Sequence, residues 1–122
     1  MTQNIIIATG AFFGMLSIIF GAFGAHALKK MLSNEQLKKF EIGVKYQMYH
    51  AITLLVLGFN MDFTTLSIYW CFTMGIILFS FSIYGLVLSD AKRKKLRFLG
   101  PITPIGGLLL VTGWLLVLIN TL

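Results

Sequence analysis

The sequence predicts an all-α membrane protein, a four-transmembrane-helix bundle with an interfacial amphipathic helix between helices 1 and 2. Of its 122 residues, 57% are apolar and only 11% are charged. So few charges cannot form the polar shell of a soluble domain of this size. Four long apolar runs fill most of the chain, and a bilayer replaces water around such surfaces.

The basic residues predict the topology. All ten Lys and Arg residues lie in two short segments, one between the first and second runs and one between the third and fourth: Lys29, Lys30, Lys38, Lys39, Lys45, and Lys92, Arg93, Lys94, Lys95, Arg97. Short loops rich in Lys and Arg remain on the cytoplasmic side. We therefore expect a single multi-pass domain over residues 1–122 in the cell (cytoplasmic) membrane, with both basic loops cytoplasmic and both termini outside.

The first span is expected at about residues 5–28, long enough for a bilayer. Small residues recur in it at spacings of four, three, four and three: Gly10, Gly14, Ser17, Gly21 and Gly24. This spacing places them on one helix face. Small side chains allow a second helix to approach closely, so we predict a helix-packing seam whose partner is within the chain or in a second copy.

An amphipathic segment, residues 31–45, follows the first span. Ser33 and Gln36 have the spacing of a capping box, which marks a helix start. The segment is expected near the cytoplasmic interface and then to continue or bend, at Gly43, into the second span at about residues 44–61. The third and fourth spans are expected at about residues 66–88 and 102–120. Four aromatic residues are candidate interface anchors: Tyr69, Trp70, Tyr84 and Trp114.

Two histidines are the candidate chemical groups. At 1.5 Å per residue, His50 lies about 18 Å from Asp62 at the outer edge, within the hydrocarbon core. His26 lies about 33 Å from Asn4, at the cytoplasmic boundary, where an interfacial structural role is expected. A shared metal ion needs both rings at one level, so neither a metal site nor another cofactor is predicted.

His50 defines a candidate polar pocket. Tyr46, His50 and Thr53 share one helix face at i, i+4 and i+7, with Tyr49 and Gln47 beside them. An imidazole inside the membrane is costly unless a partner satisfies it. The pocket is therefore either a functional, proton-handling site or a hydrogen bond that fixes helix packing. Three side chains of the third span are the expected partners: Ser80, Ser82 or Tyr84.

Four motifs resemble one family. They are Gly21-Ala-Phe-Gly-Ala-His-Ala-Leu28, Tyr46-Gln-Met-Tyr-His-Ala51, Leu78-Phe-Ser80 with Ser82 and Tyr84, and Gly100-Pro-Ile-Thr-Pro-Ile-Gly-Gly107 with Gly113-Trp114. In this order and spacing the chain resembles the small multi-pass membrane proteins catalogued as domain of unknown function 423. The resemblance covers essentially the whole chain. It implies a multi-pass cytoplasmic-membrane protein and carries no activity with it.

Three function classes are compatible with these observations. The leading hypothesis is a non-enzymatic protein that acts through helix packing with itself, with membrane protein partners or with lipids, because no catalytic set of nucleophile, base and orienting group is present. Anionic lipid headgroups at the cytoplasmic loops are expected partners, and nucleic acid is not. The second hypothesis is a small channel or transporter with a polar pocket at His50. The third is an enzyme on lipid or quinone, using Tyr46, Tyr49 and His50.

Overall fold

The computed structural model describes residues 2–122, and within them every regular element is a helix. The α-helices are α1 (Gln3–His26), α2 (Asn34–Phe59), α3 (Leu66–Ile76), α4 (Ser82–Ala91) and α5 (Ile102–Thr121). A π-helical turn, Ile77–Phe81, joins α3 and α4 into one long helix, Leu66–Ala91. Short 3₁₀ turns occupy the three connections at Leu28–Lys30, Met61–Phe63 and Arg97–Leu99.

The bundle consists of two antiparallel helix pairs. α1 packs most extensively against α2, and α3 with the π-helical turn packs against α5. The contact of α2 with α4 joins the two pairs. Residues with no exposed surface, Leu54, Ile68, Phe72 and Ile76, fill the centre. The all-α prediction is therefore confirmed for residues 2–122.

α2 begins at the predicted capping box. The Ser33 hydroxyl accepts the Gln36 N–H at 3.1 Å, and the Gln36 side-chain oxygen accepts the Ser33 N–H at 2.9 Å. The helix then continues to Phe59 without a break at Gly43. A Cβ atom at Gly43 would lie 2.7 Å from the Tyr84 ring, so this glycine serves close packing. The predicted amphipathic segment thus forms the first turns of α2 and is not a separate helix.

Three helical segments are long and apolar enough to cross a membrane: Gln3–His26, Leu66–Ala91 and Arg97–Thr121. α2 has 26 residues, which is a sufficient length. It is less apolar, because charged side chains occupy its first turns and Gln47 and His50 lie farther along. By length and composition the structure thus has three candidate spans, where the sequence predicts four.

The π-helical turn at Ile77–Phe81 was not predicted. Gly106 of α5 lies directly against it, and a Cβ atom at Gly106 would overlap the backbone of Leu78 and Phe79. Two serines, one in the turn and one directly after it, bond to helices on opposite sides. Ser80 donates to the Gly43 carbonyl of α2 at 2.8 Å, and Ser82 shares a hydrogen bond with Thr103 of α5. The turn therefore lies where the third helix makes its closest contacts on both sides.

Candidate functional site

The small residues of α1 lie on the face that packs against α2. A Cβ atom at Gly10 would lie 2.9 Å from the Ala51 carbonyl oxygen, and one at Gly24 would lie 2.9 Å from the Phe40 ring. Gly14 and Gly21 are less crowded, with nearest neighbours at 3.9 Å and 3.5 Å, and Ser17 is buried between them. The partner of this face is thus α2 of the same chain.

Gln47 is at the centre of a hydrogen-bonded cluster that joins three helices, here called the Gln47 cluster (Phe13, Ser17, Gln47 and Tyr84). The Gln47 side chain has no exposed surface. Its amide nitrogen donates to the Phe13 carbonyl of α1 at 2.9 Å, and its oxygen accepts the Tyr84 hydroxyl of α4 at 2.6 Å. The Ser17 hydroxyl donates to the same Phe13 carbonyl at 2.9 Å. In a low-dielectric interior, such paired groups hold helices in register.

His50 is buried, and both of its ring nitrogens have partners. Nδ1 lies 2.7 Å from the Tyr46 carbonyl oxygen, which can only accept a hydrogen bond. Nδ1 therefore carries the proton. Nε2 is then an acceptor, and it receives the Trp114 indole N–H of α5 at 3.0 Å. This arrangement requires a neutral imidazole with neither nitrogen free.

The prediction that Ser80, Ser82 or Tyr84 is the hydrogen-bond partner of His50 was wrong. Ser80 donates to Gly43, Ser82 pairs with Thr103, and Tyr84 donates to Gln47. Trp114 was predicted as an interface anchor, and the structure assigns it to His50. Tyr84 was predicted in the same role, but it is buried, with an exposed fraction of 8%. These pairings depend on the direction in which each side chain points around its helix. The depth of a residue in the membrane does not determine that direction.

The predicted pocket residues are only partly brought together. Tyr46 and His50 line a shallow cavity of about 320 Å³, here called the lateral groove, with Phe79 and Trp114. Tyr49 is half exposed and lies outside it. The Thr53 hydroxyl donates to the Tyr49 carbonyl at 2.8 Å within its own helix. The groove is therefore lined by aromatic and apolar groups, with His50 as its one ionisable imidazole.

His26 is exposed in the last turn of α1, at the end of the bundle that carries the basic loops. It lies outside the lateral groove. Within residues 2–122, no three His, Cys, Asp or Glu side chains come close enough together to hold a metal ion. The structure thus keeps the two histidines in separate surroundings.

The sequence places Gln47 beside the candidate pocket, but it does not predict a role for this side chain. The available signal was its chemistry, since a primary amide within an apolar stretch needs partners for both its oxygen and its nitrogen. Its position, three residues before His50, places it on a neighbouring part of the helix surface. The position of α1 decides whether Gln47 or His50 points to the centre of the bundle.

The fold and the paired polar groups define a helical integral membrane protein with long apolar helices and a closely packed interior. Residues 20–107 match the family described as "Protein of unknown function (DUF423)". The chain belongs to this family, in agreement with the resemblance drawn from its motifs.

Curated relatives cover nearly the full length. A UPF0382 membrane protein of Staphylococcus haemolyticus is 40% identical over 98% of this chain and 96% of its own. Similar proteins of Staphylococcus epidermidis and Staphylococcus saprophyticus are 40% and 39% identical, each over 98% of this chain and over 97% and 98% of their own lengths. No solved structure matches the chain.

Proposed function

We propose that the protein is a four-span, non-enzymatic membrane protein that acts by packing its helices with itself, with protein partners or with lipids. α2, the second helix along the chain, is the span that we add to the three candidate spans. It lies antiparallel to α1 along nearly its whole length, from Gly58 beside Ile7 to Phe40 beside Gly24. Two helices in contact over this length occupy the same depth. If α1 crosses the bilayer, α2 crosses with it, and its charged first turns lie at the interface, where long side chains can snorkel.

The proposed orientation has both basic loops in the cytoplasm and both termini outside. A hydrogen bond from the Gln36 amide to Asp90 at 3.0 Å joins the start of α2 to the end of α4. Both basic segments therefore adjoin the same end of the bundle. At the opposite end, Gln3 donates to the Gly58 carbonyl at 2.9 Å. This separation supports the topology that the charge distribution predicts.

The pairing of His50 is the observation that supports a packing role. A proton relay, a metal ligand or a general base needs a nitrogen that is free to exchange its partner. In this structure, the Tyr46 carbonyl and the Trp114 indole occupy both positions. The imidazole therefore acts as a link between α2 and α5.

A small channel or transporter with a polar pocket at His50 is the second candidate. The lateral groove supports it, because about 320 Å³ of open space reaches the imidazole. Its walls include Leu110 and Val111, which offer no hydrogen bonds to a polar solute. A hydrophobic ligand that enters from the lipid fits this lining better than an ion.

Reconstitution in liposomes tests the two candidates. Purified protein is inserted into vesicles that contain a pH-sensitive dye, and a proton gradient is imposed. We expect the gradient to decay no faster than in protein-free vesicles. Faster decay of the gradient that is lost in His50→Ala and retained in Tyr49→Phe would contradict the packing function and support transport.

Cysteine accessibility tests the topology separately. In a Cys71→Ser background, single cysteines are placed at Thr2, Thr65 and Lys94, all outside the helical spans. An impermeant maleimide should label the first two from outside whole cells and leave position 94 unlabelled until the membrane is opened. Labelling of position 94 in intact cells would reverse the proposed orientation.

A further inference from the structure

A groove lies between α2, α4 and the start of α5 at the end of the bundle that carries the basic loops. It has a volume of about 370 Å³, and its walls are mainly aliphatic, including Ile42, Ile83 and Leu86. A smaller hollow of about 90 Å³ adjoins it and shares Lys39, Leu86 and Val87 with it. We call the two together the basic groove. It is apolar along its length and polar at one end.

The polar end of the groove carries positive charge. Lys39 of α2 and Lys95 of the loop that follows α4 line the hollow, and Asp90 is its acidic residue. Asp90 accepts a hydrogen bond from Gln36 at 3.0 Å. Lys39 lies 3.5 Å from Glu35, but both side chains are largely exposed, at 60% and 81%. An exposed ion pair of this kind is weak, so Lys39 can exchange Glu35 for another anion.

The loop that carries Lys95 is folded. Its backbone closes α4 in a Schellman motif, with Lys94 N–H bonded to the Ser89 carbonyl at 2.9 Å and Arg93 N–H to the Asp90 carbonyl at 3.0 Å. Leu96 N–H is bonded to the Ser89 hydroxyl at 3.1 Å. Arg93 occupies the left-handed position of this motif, at φ 58°, where glycine is favoured. These bonds fix the loop, with Lys95 at the hollow.

We propose that the basic groove binds one anionic phospholipid, with an acyl chain against the aliphatic walls and its phosphate between Lys39 and Lys95. The shape and charge of the groove match this molecule, which has an apolar tail and a negative headgroup. Basic pockets between membrane helices on the cytoplasmic side are suited to such headgroups. The inference that the lipid comes from the cytoplasmic leaflet rests on the proposed topology. The binding of an anionic phospholipid to the groove does not depend on the topology.

Native mass spectrometry from detergent micelles tests the proposal without reference to orientation. The protein is titrated with phosphatidylglycerol and, separately, with phosphatidylcholine of the same acyl chains. We expect the first phosphatidylglycerol to bind about tenfold more tightly, and the double variant Lys39→Gln/Lys95→Gln to reduce this preference to about one. The matched control is Lys29→Gln/Lys30→Gln, which removes the same charge outside the groove and should retain the preference.

Two further measurements make the result decisive. Ile42→Trp narrows the aliphatic wall without a change in charge and should abolish the first bound lipid for both headgroups. Free glycerol phosphate, which has a headgroup and no acyl chain, should not compete. Equal losses in the two lysine double variants would mean diffuse charge attraction, and effective competition by glycerol phosphate would mean a simple anion site. Either result would overturn the proposal, whatever the labelling experiment shows about topology.

Discussion

Gln47 and His50 lie about one turn apart on α2, but they join different helices in different surroundings. Gln47 is fully buried and connects α2 to α1 and α4. His50 connects α2 to α5 through Trp114, whose exposed fraction is 49%, and it lines the lateral groove. The first face of α2 is closed, whereas the second is accessible from outside the bundle. The comparison teaches that the titratable side chain in the middle of a helix is not necessarily the one at the structural centre of the bundle.

The largest effect is expected from Gln47→Leu. This substitution leaves the Tyr84 hydroxyl without its acceptor and removes one donor from the Phe13 carbonyl. A buried polar group left unpaired costs about 1–3 kcal/mol, so we expect the free energy of unfolding to fall by about 3 kcal/mol. Titration with SDS from mild detergent, followed by circular dichroism, measures it.

The double variant Gln47→Leu/Tyr84→Phe is the control for that experiment. It removes both polar partners, and such a change is less costly than the loss of one. We therefore expect part of the stability to return. If the double variant is as unstable as the sum of the two single variants, the hydrogen bond is not what stabilises the cluster.

The next largest loss of stability is expected from a substitution that prevents the close approach of α1 to α2. Gly10→Ala would place a methyl group 2.9 Å from the Ala51 carbonyl oxygen and 3.1 Å from the Leu54 Cβ atom. Overpacking of this kind costs about 1–3 kcal/mol, and we expect a loss of about 2 kcal/mol in the same assay. Gly14→Ala is the matched control, because its nearest neighbour is at 3.9 Å. Similar losses at both positions would show that the helices do not touch closely at Gly10.

Trp114→Phe tests the face that is open to the lateral groove. It retains an aromatic ring but removes the N–H that His50 accepts. Interhelical hydrogen bonds in membranes contribute about 0.6–1.7 kcal/mol, and we expect a loss of about 1 kcal/mol. A double-mutant cycle with His50→Phe isolates the pair. A coupling energy near zero would contradict the assigned link between α2 and α5.

The smallest effect is expected from Tyr49→Phe. The Tyr49 side chain is 51% exposed and lies outside the lateral groove. Substitutions at such positions usually change stability by less than about 0.5 kcal/mol. Thermal unfolding in detergent should therefore give nearly the same midpoint for Tyr49→Phe and the natural chain. A loss of stability as large as that of Trp114→Phe would show that Tyr49 belongs to the polar site at His50.

Much of the fold could be predicted from the sequence. The capping box of Ser33 and Gln36 gave the start of α2, and the spacing of Gly10, Gly14 and Gly24 gave the packed face of α1. Both signals are local, because a capping box spans one turn and helical periodicity spans a few turns. The four motifs also gave the family, which the match over residues 20–107 confirms.

The candidate site was less predictable. Sequence depth placed His50 within the membrane, but it favoured Ser80, Ser82 or Tyr84 as its partner, whereas Trp114 holds that position. The π-helical turn at Ile77–Phe81 was not predicted from the sequence. It widens one turn of the third helix, and a small rotation at that point changes which side chains face α2 and which face α5.

The sequence by itself determined that the chain is helical, that it belongs in a membrane, and where its charges lie. These properties follow from composition and from periodicity within single helices. Only the tertiary structure decided that α2 accompanies α1 along its length, that Gln47 is the buried centre, and that His50 is neutral and doubly bonded. Each of these depends on which groups from distant parts of the chain come within about 3 Å, and hydrogen bonds are formed only at that range.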